Sequence, residues 1–290
     1  MKTLNEQVKE VMNGKGSRYT KSIELVKLGL TPHEISIMLG SVKVSKKCKF
    51  NVNALTFGVE LEVYNVVRTE LIREVEQRSI SIQSEGYNHT DNNHYYKIVS
   101  DASICGENGN EVVSPILKGK KGLDSLKEVC ESLENVGAKV NKSTGLHVHF
   151  DASTMTDGHF VQLFKNYQKL ESVIDTFMPN SRRANNNVFC KSLRGIHYDG
   201  CQTKEDVMNY NGTRYRKVNA ESYIRHKTVE FRQHSGTTEF KKISNWINFL
   251  RKLIQYSFDH AIENCSSIEE IPFLTEKEKE FFISRRESLR

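Results

Sequence analysis

The sequence predicts an α+β fold: one antiparallel-dominated sheet with flanking helices, preceded by a small basic helical segment. Two observations carry this. Three short segments alternate apolar residues with carboxylates, histidines or arginine at a period of two: Leu55 to Val63, Gly145 to Asp151 and Thr228 to His234. Helix-period stretches lie between them, so the strands are far apart in sequence, which suits an antiparallel sheet with inserted helices. In a strand, side chains at i and i+2 share a face. Leu55, Phe57, Val59, Leu61 and Val63 therefore pack one way, and Glu60 and Glu62 point the other. Leu146, Val148 and Phe150 oppose His147, His149 and Asp151; Val229 and Phe231 oppose Glu230, Arg232 and His234. A solvated sheet face is usually mixed and rich in Lys and Thr, whereas this one collects metal-ligand residue types from three distant places. The expectation is an active site on the open face of the sheet.

Residues 1–49 read as helices. Ile23, Leu25, Val26 and Leu28 recur at helical spacing, and Gly29 suits a C-terminal cap. Thr31, Pro32 and Glu34 fit N-cap, N1 and N3 of a capping box, followed by Ile35, Ile37, Met38 and Leu39 up to Gly40. Such a helix pair serves either as a small cap on the main domain or as a helix-turn-helix half-motif. Ser41 to Asn53 is polar and reads as the linker to a catalytic domain over residues 50–290. There the Phe57 strand comes first, then a helix over Thr69–Arg78 and polar turn residues from Gly86 to Asn93. His94–Ser100 alternates as a strand, and Glu111–Leu117 reads as a strand stopped by Pro115. A helix over Leu123–Val136 ends at Gly137. Asp157–Met178 is amphipathic, with Phe160, Leu163, Phe164, Tyr167, Leu170 and Ile174 near one face. Asn180–Lys204 is polar and loop-like, and helices return between Ser244 and Ile262 and near the C-terminus.

A chain of 290 residues can bury a substantial core, and no stretch approaches the roughly 18 apolar residues of a membrane span. Cys48, Cys105, Cys130, Cys190, Cys201 and Cys265 form no CxxC pair, and Met1–Glu6 lacks the apolar core of a signal peptide. Reduced thiols in a cytoplasmic protein are the expectation. The formal charge is +6, and residues 1–50 carry all of it, with ten Lys or Arg against four Glu. The remaining residues hold 32 of each sign, so the main body needs no nucleic acid to explain it.

Glu60 and Glu62 stand roughly 7 Å apart along one strand face, and paired divalent ions in phosphoryl transfer sit about 3.5–4 Å apart. One strand can thus hand a carboxylate to each ion. Gly58 precedes the pair, where a missing side chain lets a ligand approach the backbone. His147 and His149 project the same way and make a recurrent metal motif. Glu230 sets an ion ligand beside the Arg232 guanidinium, which can grip a carboxylate or phosphoryl oxygen. Arg182, Arg183, Arg214, Arg216 and Lys217 add candidate anion-binding groups. Many oxygen ligands select Mg²⁺ or Mn²⁺ over zinc. The chain has no Walker A sequence, no Gly-x-Gly-x-x-Gly after a strand and no Gly-x-Ser-x-Gly elbow.

In order, Phe57–Glu62, Glu111–Ile116, Thr144–His149, Arg216–Asn219 and Thr228–Arg232 resemble the amidoligases of the carboxylate–amine ligase superfamily, which includes glutamine synthetase and glutamate–cysteine ligase. The resemblance spans roughly Leu55 to Leu250 and implies a glutamine synthetase-like sheet cradle, with ATP entering one end and the acceptor acid the other. It implies that Glu60, Glu62, Glu111, His147 and Glu230 hold divalent ions, and that His149 contacts ATP phosphates. Arg232 would grip the phosphoryl group or acid, with Arg182, Arg216, Lys217 and Asn219 binding phosphate or substrate and Asp101 positioning the amine. The implied reaction phosphorylates a carboxylate with ATP and lets an amine displace phosphate, the partners being an amino acid, peptide or cell-wall fragment. The segment from Arg182 to Tyr215 is long enough to be a lid.

Two other readings stay open at this level. A metal-dependent hydrolase would use His147, His149, Asp151 and Glu230 with a bound water. A nucleic-acid-binding protein would bind through residues 1–49.

Overall fold

Alternation in the Phe57 segment produces the central strand, β1 (Thr56–Val63), and the rest of the sheet is laid against it. The computed structural model describes residues 2–15, 18–30, 55–86, 88 and 94–290. The chain divides into two units, Met1–Phe50 and Asn51–Arg290.

In the first unit, α1 (Leu4–Asn13) begins with a capping box in which Thr3 and Glu6 satisfy each other's backbone N–H. Helix α2 (Arg18–Lys27) is followed by Gly29 at φ +87°, the left-handed turn expected of a C-terminal cap. The Thr31 capping box, the helix after it and the Ser41–Asn53 linker lie outside the described residues.

In the second unit, β1 is followed by α3 (Arg68–Gln77), β2 (Ile82–Ser84), β3 (Tyr96–Ser100), β4 (Asn110–Val113), β5 (Leu117–Lys118) and α4 (Gly119–Asn135). Then come β6 (Gly145–Asp151), α5 (Asp157–Thr176), α6 (Lys204–Asn211), β7 (Val218–Asn219), α7 (Ser222–His226), β8 (Thr228–Ser235), α8 (Phe240–Asp259) and α9 (Glu276–Ser288). The described strands form one sheet in the order β2-β3-β4-β1-β6-β8-β7, with β5 also on β1. Only the β2–β3 pair is parallel. No helix among the described residues is long and apolar enough to cross a membrane.

Proline splits the expected Glu111–Leu117 strand into β4 and β5. Where Pro115 interrupts the ladder, Ser114 replaces it: its N–H donates to Val59 O and its hydroxyl accepts from Val59 N, each at 2.8 Å. One face of the sheet is apolar and covered. Phe57, Val59, Leu61, Leu146, Val148, Phe150, Val229 and Phe231 are all buried there. Helices α5 and α8 supply the second layer, and the six α5 residues expected on its apolar face are all buried. Tyr167 and Phe231 meet at 5.7 Å between ring centroids. This layer leaves the opposite sheet face for chemistry.

The alternation of β8 is interrupted. Leu146 pairs with His234 but Val148 with Phe231, so β8 carries one extra residue at this point. A bulge of this kind reverses the side-chain faces beyond it. Arg232 therefore stays on the open face, while Gln233 and His234 turn into the helix layer. Gln233 accepts from the Tyr167 hydroxyl at 2.6 Å, and His234 packs 5.6 Å from the Trp246 ring. The expectation that His234 shares a face with Glu230 is thereby corrected, and its burial holds the imidazole well below its ordinary pKa.

Candidate active site

Antiparallel register turns three separated motifs into adjoining rows. Gly58 pairs with His149, His149 with Glu230, and Glu230 with Asn219. One step along, Glu60 pairs with His147, and Glu62 pairs with Glu111 on the other side of β1. The His147 ring lies between the two β1 carboxylates, with Nδ1 2.9 Å from Glu60 Oε2 and Nε2 3.4 Å from Glu62 Oε1. Glu62 also accepts from Gly145 N at 2.6 Å. Glu230 is fixed from two sides: Asn219 Nδ2 donates to Oε2 at 2.6 Å, and Arg232 Nη1 donates to Oε1. His149 contacts Thr228 Oγ1 through Nδ1 at 3.0 Å, which leaves Nε2 facing Glu60 Oε1 at 3.3 Å and Glu230 Oε1 at 3.8 Å.

Charge is unevenly compensated across this face. Burial alone would raise the Glu60 carboxyl, but His149 and His147 hold it well below the usual carboxylate range. Burial also opposes ionisation of Glu230, and Arg232 and His149 bring it down. At Glu111 the balance goes the other way. Burial, then the charges of Glu60, Glu62, Asp101 and Glu230, push it well above its ordinary value. Two like-charged carboxylates in one dry site favour either a shared proton or a bound cation.

The donor atoms suit a cation. Glu60, His149 and Glu230 bring ligand atoms within 4.8 Å of one another; so do Glu60, Glu111 and His147, and so do Glu62, Asp101 and Glu111. His149 Nε2 is buried and has no hydrogen-bond partner, as a ligand atom awaiting an ion would be. The two imidazoles enter separate groups, and Asp151 enters none, its carboxylate instead accepting from Ser153 N at 2.8 Å. Of the four residues in the hydrolase reading, His147, His149, Asp151 and Glu230, only His149 and Glu230 fall in one such group among the described residues.

Two cavities open over the sheet face. The first, about 390 Å³, is lined by Gly58, Lys97, Ser114, Asp151, Lys227 and Thr228, among others. The second, about 400 Å³, is rich in arginine: Arg182, Arg214, Arg225 and Arg232, with Asp101, Ser143 and Glu62. Glu60, Glu111, His149 and His226 line both, so the carboxylate–imidazole cluster lies where the cavities meet.

The remaining candidates divide. Arg182 is buried, lines the second cavity and donates Nη2–H to Thr144 O at 2.6 Å. Asn219 lines it too, but its amide holds Glu230 and its Oδ1 accepts from Glu221 N. Arg216 and Lys217 line neither cavity. Arg216 donates to the carbonyls of Asn211 and Ser192. Lys217 reaches the helix layer, where its fully buried ammonium meets Glu171 Oε1 at 2.9 Å and Asp175 Oδ1 at 2.6 Å. The structure therefore does not bring these two candidates to the cavities with the rest of the cluster. Lys97, Arg225 and His226 were missed. Lys97 comes from an edge-side strand, and the other two from a five-residue helix too short to show a period.

The expected lid is tied down at many points. Glu171 accepts from Leu193 N at 2.7 Å, from the Ser192 hydroxyl and from Arg194 Nε at 3.2 Å. Asp175 accepts from Ala184 N at 3.0 Å and from Arg194. Lys191 N donates to Tyr215 O, and Lys217 N to Lys191 O. This stretch is a braced wall of the arginine-rich cavity.

No curated protein matches the chain at a significant level. Among solved structures, it is similar to a bifunctional glutathione synthetase from Pasteurella multocida, with TM-score 0.41 and 14% identity over 82% of this chain and 42% of that one. The chain thus spans less than half the length of that protein. Residues 53–254 match a family described as "Putative amidoligase enzyme". The match runs from just before β1 into α8 and takes in every member of the carboxylate–imidazole cluster: this chain belongs to the amidoligase family.

Proposed function

We propose that the protein is an ATP-dependent carboxylate–amine ligase working through an acyl phosphate, on a glutamine synthetase-like sheet cradle. The observation that carries this reading is the pair of cavities meeting over one acidic cluster. A ligase must bring a nucleotide and an acid from separate sides to one point of charge compensation, and this face is built to do so. The Gly58 cavity takes the nucleotide, with its backbone open at Gly58 and Lys97 and His149 in its wall. The arginine-rich cavity takes the acid.

Glu60, Glu62, Glu111, His147 and Glu230 would hold Mg²⁺ or Mn²⁺, and His149 Nε2 is placed to share in that or to meet a phosphate oxygen. Bound there, the ions would offset charge on the transferring phosphoryl group. The residues themselves do the positioning. Asn219 and Arg232 fix Glu230, and Gly145 N and His147 fix Glu62. Arg232, one step from Glu230, can hold an equatorial oxygen of the transferring group. The acid carboxylate oxygen attacks the γ-phosphorus, ADP leaves, and the amine then attacks the acyl carbon to expel phosphate. Asp101, which lines the acid cavity, can orient the amine and accept its proton.

The test is Mg²⁺-dependent ADP release across a panel of acids and amines, comparing wild type with Glu230→Ala. Turnover stimulated by an acid–amine pair and lost in the variant supports the reading. Metal-dependent cleavage without nucleotide would replace it with the hydrolase.

A further inference from the structure

The arginine-rich cavity has a wall that a small, fully polar acid does not use. Arg182 is 3% exposed, lines this cavity and is fixed there by its Nη2–H donating to Thr144 O at 2.6 Å. Toward solvent the character changes. Phe189 is 45% exposed and Ile224 65% exposed, and both line the same cavity. Phe189 is held in place rather than loosely exposed: its carbonyl accepts from Arg232 Nε at 3.4 Å, and its ring meets Tyr215 at 5.4 Å in an edge contact. The Arg214 guanidinium lies 5.0 Å from the Tyr215 ring centroid and braces that ring. Single exposed apolar residues need no explanation. An aromatic and a branched aliphatic side chain lining one polar cavity, with the aromatic residue held beside the arginine next to Glu230, is a different matter.

We propose that this cavity selects an acid whose carboxylate is carried beside an aromatic or branched apolar group, such as an N-aroyl amino acid, over the same acid with only a small flank. This rests on the ligase reading for why an acid binds, but not for how it is chosen. Arg182 and Arg232 hold the carboxylate, and the flank lies against Phe189 and Ile224, removing apolar surface from water.

A matched pair of probes tests it. N-benzoylglutamate and N-acetylglutamate carry the same carboxylates and differ only in a phenyl or methyl flank. Titration calorimetry with Mg²⁺, with and without a non-hydrolysable ATP analogue, should show the benzoyl compound binding roughly tenfold tighter. Phe189→Ala and Ile224→Ser, both at exposed positions, should narrow that ratio to about threefold or less. Equal affinities in wild type overturn the proposal. So does a variant that weakens both acids in parallel, or an absence of binding by either at millimolar concentration. Displacement of the benzoyl compound by the nucleotide analogue also overturns it, because the apolar wall would then belong to the nucleotide. ADP release is measured separately. Preferential binding without turnover would sink the ligase reading and leave the selectivity standing.

Discussion

Two glycines on the open face are needed for different reasons, and substitution separates them. A Cβ at Gly145 would lie 2.9 Å from His147 Nε2 and 3.2 Å from Arg182 Nη2, so it pushes directly on the His147 imidazole and the buried guanidinium. A Cβ at Gly58 meets nothing nearer than 3.9 Å, and would simply fill the floor of the first cavity. Gly145→Ala should cut turnover by about a hundredfold through displacement of His147. Gly58→Ala should keep the wild-type melting temperature and raise KM for ATP several-fold. Initial rates with thermal melts decide both; an unchanged KM(ATP) in Gly58→Ala would remove the nucleotide from that cavity. Arg232→Lys keeps the positive charge but loses the two-pronged guanidinium that reaches Glu230 and Phe189 O. It should lower kcat more than it raises KM.

At the scale of elements, α5 both covers the core and holds the wall of the arginine-rich cavity. Glu171 and Asp175, one turn apart, collect Lys217, Arg194 and the backbone of 184–193. Burial would raise the Glu171 carboxyl, and Lys217 with Ser192 and Leu193 N holds it below its ordinary value instead. Removing one member of a buried charge set leaves the others uncompensated. Lys217→Met should therefore cost about 3 kcal/mol in denaturant unfolding, far more than a surface lysine. It should also raise protease sensitivity within 184–194. Helix α9 gives a pH prediction. Glu278 is held down to about 2 from 4.5, against the opposing effect of burial, by Lys252 and the N–H and hydroxyl of Thr275. A depressed folded-state value means its stabilisation is present above pH 4.5 and is lost as pH falls from there toward 2. Glu278→Gln should flatten that part of the acid-unfolding curve while leaving neutral pH changed only by the missing ion pair.

For the whole molecule, Glu111 is the informative group. Burial, and then the charges of four neighbouring carboxylates, hold the Glu111 proton to unusually high pH. A divalent cation entering there must displace that proton. Mg²⁺ binding should release protons at neutral pH, seen as a buffer-dependent heat in calorimetry, and affinity should fall as pH is lowered. Glu111→Gln should abolish the buffer dependence. A cation that binds only the folded protein should also raise the melting temperature with concentration. No rise in wild type would count against the ion-holding role of the whole cluster.

The sequence by itself determined the longer strands, their faces up to Arg232 and most of the cluster, but not the short strands β2 and β7. Period-two alternation is a local property, so Glu60, Glu62, His147, His149 and Glu230 could be placed on one face from their neighbours alone. Helix α5 was equally legible, because its apolar stripe repeats over five turns. Tertiary structure decided what local period cannot encode. A bulge opposite His147 left Arg232 beside Glu230 but sent His234 into the core; it depends on how β8 pairs with β6 and not on either strand's composition. Lys217 and Arg216 read as anion-binding cations until their partners were known. Those partners, Glu171 and Asp175 for Lys217, lie more than 40 residues away on a helix of the other layer. A charge declares its type in sequence, but its partner is settled only by packing.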